Sequence, residues 1–84
     1  MITLKSVIDR LDDDIEQYLY SASYNGDDCI KLVFSTCNQL NELIDIIVYV
    51  HENDAVELAM SPFESKPTFL DKRILDLMNK LMAL

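Results

Sequence analysis

The apolar residues of this chain change their period part-way along. Leu4, Val7, Ile8, Leu11, Ile15, Tyr18 and Leu19 recur at every third or fourth position, whereas Ile30, Leu32 and Phe34 fall on every second. The first spacing lines up side chains along one stripe of a helix, and the second along one face of a strand. Between the two stands Asn25-Gly26, which holds the only glycine of the sequence. That dipeptide suits a backbone that must take positive φ. A helical pattern followed by strand patterns points to an α+β domain.

Residues from about 4 to 20 read as one amphipathic helix, with Thr3 placed to cap it. Asn25-Gly26 then reads as its stop; the alternative is a tight hairpin turn preceded by a strand over 17–24. Residues 29–35 alternate and are rich in strand-favouring types, so they predict a strand. The stretch 38–50 reads both ways. Leu40, Leu43, Ile44 and Ile47 fit a helix, yet 44–50 is almost wholly β-branched or aromatic, and a helical or loop lead-in to a strand over about 45–51 reconciles the two. Glu52-Asn53-Asp54 supplies turn residues, and Val56, Leu58 and Met60 alternate as a hairpin partner. Pro62 and Pro67 bracket an irregular linker. Thr68 is placed to cap a last helix, with Asp71 near its start. The expected architecture is a small antiparallel sheet of three to four strands, with N-terminal and C-terminal helices packed on one face.

With 84 residues, half of them hydrophobic and 26% charged, the chain suits a single domain over 1–84 with one core. The longest apolar run is Ile46 to Val50, far short of the ~20 residues that span a bilayer, and a cytoplasmic location is expected. Cys29 and Cys37 would lie about 26 Å apart on one extended strand, beyond disulfide reach, which predicts free thiols.

The net charge is −8, and it is unevenly placed. Thirteen of the fifteen acids lie between Asp9 and Glu64, where the only bases are Arg10 and Lys31. Direct binding to a nucleic-acid backbone, which needs clustered Lys and Arg, is disfavoured.

Motifs that would carry catalysis are missing. One glycine cannot build a phosphate-cradling loop or a dinucleotide fingerprint. His51-Glu52-Asn53-Asp54-Ala55 begins like a zinc-protease helix, but Ala55 stands where the second histidine belongs. Asp12-Asp13-Asp14 begins like a calcium loop, but Gln17 replaces its glycine and Ser23 its closing glutamate. No serine sits in a nucleophile elbow. The expectation is a protein that is not an enzyme and needs neither cofactor nor metal.

Two surfaces stand out instead. Asp9, Asp12, Asp13 and Glu16, spaced by three and four, would share one face of the first helix about 5–6 Å apart, with Asp27 and Asp28 following near the turn. Such a row of carboxylates can present itself to a basic groove as a phosphate backbone does, in the manner of a DNA mimic. In the last helix, Leu70, Ile74, Leu77, Leu81 and Leu84 follow a core rhythm, which leaves Leu75, Met78 and Met82 as a candidate self-association surface. In size, acidity and lack of catalytic motifs the chain resembles phage- or plasmid-encoded inhibitors such as anti-CRISPR and anti-restriction proteins, and bacteriocin immunity proteins. The likeness is one of general character and carries no residue over. The expected function is that of a small acidic protein-binding module, a stoichiometric inhibitor occupying a basic, nucleic-acid-binding site on a partner protein. The alternative is a self-associating structural or adaptor protein.

Overall fold

The structure is a computed structural model that describes residues 2–37, 41–61 and 72–84. Two short helices, α1 (Leu4–Ile8) and α2 (Asp13–Glu16), precede four strands, β1 (Leu19–Tyr24), β2 (Cys29–Cys37), β3 (Leu43–His51) and β4 (Val56–Ser61). The helix α3 (Lys72–Met82) follows. The strands form one antiparallel sheet in the order β1-β2-β3-β4, each pairing with its neighbour in sequence.

The predicted helix over 4–20 is not one helix. Its start is as expected: Thr3 Oγ1 accepts from the Ser6 N–H at 3.1 Å, and Ser6 Oγ accepts from the Thr3 N–H at 3.2 Å, a reciprocal cap that satisfies two donors a helix start leaves open. After Ile8 the ladder tightens, with Arg10 N–H donating to Val7 O and Leu11 N–H to Ile8 O, each at 3.0 Å. The chain turns extended at Asp12 (φ −71°, ψ 156°), which opens α2. Aspartate is a poor helix former that favours helix starts over interiors, which suits Asp12 to opening α2, although its side chain makes no capping hydrogen bond there. In a continuous helix Asp9, Asp12, Asp13 and Glu16 would also stand three and four apart and repel one another.

The second correction is β1. Residues 19–24 form a strand and Asn25-Gly26 a hairpin turn, with Gly26 at φ +84°, so the alternative reading of that dipeptide is the one observed. The deciding force is tertiary: without β1, the backbone groups of β2 that face away from β3 would lose their partners. A bulge lies between Leu19 and Ser21, and Tyr20 is the extra residue. Leu19 pairs with Phe34 and Ala22 with Leu32, so two residues three apart share one sheet face. β2 matches its expected span and runs two residues further. β3 begins at Leu43, earlier than predicted. Leu40 of the predicted lead-in lies outside the described residues, as do Pro62, Pro67, Thr68, Leu70 and Asp71.

All helices cover the same face of the sheet. Ile30, Leu32 and Phe34 of β2 and Ile44, Ile46, Val48 and Val50 of β3 form one buried cluster with Val7, Leu11 and Ile15 from the N-terminal helices and Ile74, Leu77 and Leu81 from α3. Burying each such side chain stabilises the fold by about 1.5–3 kcal/mol. Cys29 is buried and Cys37 exposed, and both are free thiols. Among the described residues no helix is long and apolar enough to cross a membrane.

A candidate acidic interaction surface

The meander brings its first and third hairpin turns to one end of the sheet, and two contacts lock that end. Glu52 N–H donates to Asp28 O at 2.9 Å, extending the β2–β3 ladder into the loops. Arg10, just after α1, pairs with Asp54 at 3.3 Å. Asp54 itself sits at φ +68°, a conformation aspartate tolerates better than most residues. Asp27 and Asp28 of one turn and Glu52 and Asp54 of the other thus lie at the same end of the sheet, and Asp28, His51, Glu52 and Asn53 line a depression of about 330 Å³ there.

Of the six carboxylates expected to bind a partner, the four expected to share one helix face do not form one helical row. Asp9 caps the end of α1, Asp12 opens α2, and Asp13 and Glu16 lie within α2, while Asp27 and Asp28 sit in the β1–β2 turn. They share a different property. All six are exposed, and none makes an ion pair with a described residue. Several other acids are engaged. Asp14 pairs with Lys80 of α3, Asp54 with Arg10, and Glu57 Oε1 lies 3.1 Å from His51 Nε2. Asp45 Oδ1 accepts from Ser35 Oγ at 2.6 Å. The Lys80 ammonium beside Asp14 holds that carboxyl below its ordinary value, chiefly by hydrogen bonding to it, and Asp14 in turn raises Lys80.

Sequence reasoning missed the exposed tyrosines of β1. Tyr20 is 77% and Tyr24 54% exposed, and the Tyr24 hydroxyl accepts from the Leu4 N–H at 3.2 Å. The hairpin reading of Asn25-Gly26 was the signal for them, since it makes 17–24 a strand and places its tyrosines on a sheet margin. On α3, Met82 is 62% exposed and Met78 packs half-buried against the core; the Leu75 side chain lies outside the described residues. Among the described residues no three His, Cys, Asp or Glu side chains gather as metal ligands would.

The fold and surface therefore define a class, a small α+β protein with helices on one sheet face and an acidic margin. Compared with protein-family models, curated proteins and solved structures, the chain finds no match.

Proposed function

We propose that this protein is a stoichiometric binding module whose acidic margin occupies a basic site on a partner protein, of the kind that otherwise holds nucleic acid. The observation that carries this reading is the contrast among its carboxylates. Asp14, Asp45, Asp54 and Glu57 are tied to Lys80, Ser35, Arg10 and His51, whereas Asp9, Asp12, Asp13, Glu16, Asp27 and Asp28 are exposed without an ion pair among the described residues. Unpaired surface carboxylates repel one another and gain most when a cationic surface covers them. A folded domain that fixes two groups of them, around α2 and at the β1–β2 turn, presents charge at set spacings.

The test is charge reversal where the fold tolerates it. Glu16 lies at the end of α2, where a cation suits the helix dipole, and Asp27 and Asp28 lie in a turn, so Glu16→Lys with Asp27→Lys and Asp28→Lys is expected to keep the circular dichroism spectrum. Capture of a basic partner from a lysate should fall steeply with this variant, and should fall for the parent protein as salt is raised. A triple variant that captures the same partner equally well at the same salt would overturn the reading. A second reading, self-association through α3, draws support from the exposed Met82.

A further inference from the structure

The β1 margin has a feature that charge alone does not describe. Asn25 N–H donates to Cys29 O at 2.8 Å, and hydrogen-bonded pairs alternate along an antiparallel ladder. Ser23 with Lys31 and Ser21 with Val33 are therefore the pairs that bond across to β2. The N–H and C=O groups of Ala22 and Tyr24 consequently point away from the sheet. No backbone hydrogen bond from a described residue reaches them. This edge lacks the charged side chains that commonly blunt an open strand, since Leu19–Tyr24 reads LYSASY. The bulge at Tyr20 lies at its far end and leaves 21–24 regular.

Charge brackets the edge on both sides. Asp13 and Glu16 precede β1, and Asp27 and Asp28 follow it. Two copies paired antiparallel through β1, centred on Ala22, would bring Asp27 and Asp28 of one copy toward Glu16 of the other, so the flanking charge opposes self-pairing. The same bracket favours an extended segment carrying Lys or Arg. The opposite edge is less suited. β4 carries Glu57 within the strand, whereas β1 carries no charged residue.

We infer that β1 receives an extended basic segment of the partner as a fifth strand, with the backbone of Ala22 and Tyr24 as its hydrogen-bonding register, the flanking carboxylates selecting its charge and Tyr20 offering an aromatic contact. This rests on the acidic-margin reading and specifies its mode.

The test uses a synthetic peptide of alternating Lys and Thr, seven residues long, with an alternating Glu and Thr peptide as control. The lysine peptide should bind and the glutamate peptide should not. Hydrogen exchange at the amides of Ala22 and Tyr24 should slow at least tenfold when the lysine peptide is bound, a measurement on the unaltered protein. Ala22→Pro removes an outward N–H from an edge strand, where proline is tolerated, and should weaken binding at least tenfold. Binding that leaves both amides exchanging as before, or absence of binding by the lysine peptide, would overturn the inference. If Glu16→Lys with Asp27→Lys and Asp28→Lys abolishes partner capture while Ala22→Pro leaves it within twofold, the edge mode falls and the acidic-margin reading stands.

Discussion

Lys80 and Asp14 lie 66 positions apart and are joined by their side chains, a polar tie between α2 and α3. The sign of their pH dependence follows from the two shifts. Asp14 is depressed below 3.8, so its contribution is present above that value and is lost as pH falls through the lower folded one. Lys80 is raised above 10.5, so its share is present below that value and is lost only as pH rises through the higher folded one. The tie therefore operates across the neutral range. Both side chains are half exposed, so solvent screens it and its contribution is small. Lys80→Met is expected to lower the melting temperature slightly at neutral pH and to converge on the parent as acid protonates Asp14. A difference that stays constant from neutral pH into the acid range would show that the pair contributes packing and not charge.

At the level of elements, β1 is where local pattern and tertiary demand disagree. Leu19 and Ala22 share a face because Tyr20 is extra, so a bulged strand imitates the three-residue spacing of a helix and continues the pattern of Leu11, Ile15 and Leu19. Periodicity could not separate the two, and neither could Asn25-Gly26, since a helix stop and a hairpin turn both use positive φ; Gly26 adopts φ +84°, and nothing lies within 4 Å of the place a Cβ would take. Gly26→Ala should therefore cost about 1–2 kcal/mol from backbone conformation alone, measured as a lower denaturation midpoint with unchanged slope. Loss of less than a few tenths would mean that the turn does not depend on positive φ. β2 and β4 were legible because each alternates, β3 because 44–50 is almost wholly β-branched or aromatic although its near-continuous apolar run also fits a helix, and Thr3 because a helix start is decided by neighbours three residues away. The break at Asp12 was only half legible, since the repulsion among the aspartates could be read but not the change of direction that relieves it.

For the whole molecule, the sequence disclosed that acids dominate but not which of them are neutralised, because Arg10 with Asp54 and Lys80 with Asp14 are contacts that only the folded chain creates. The four carboxylates named from helical spacing, Asp9, Asp12, Asp13 and Glu16, are exposed although they do not share one helix. The α3 surface invites a molecular-scale test: if Met82 joins two copies, light scattering should report a dimer that Met82→Glu converts to a folded monomer. A net charge of −8 per copy opposes such pairing, so added salt should strengthen it, opposite to the effect on a basic partner. A parent protein that is monomeric at high concentration and high salt would end that reading. The strand order has one further consequence. Each hairpin closes over a short loop with its immediate neighbour, so pairing in the sheet is settled between segments close together along the chain. The helical cover draws on both ends at once and closes a long loop, such as the one from Asp14 to Lys80. The sheet is thus paired between near neighbours in sequence, while its helical cover depends on contacts between segments far apart along the chain.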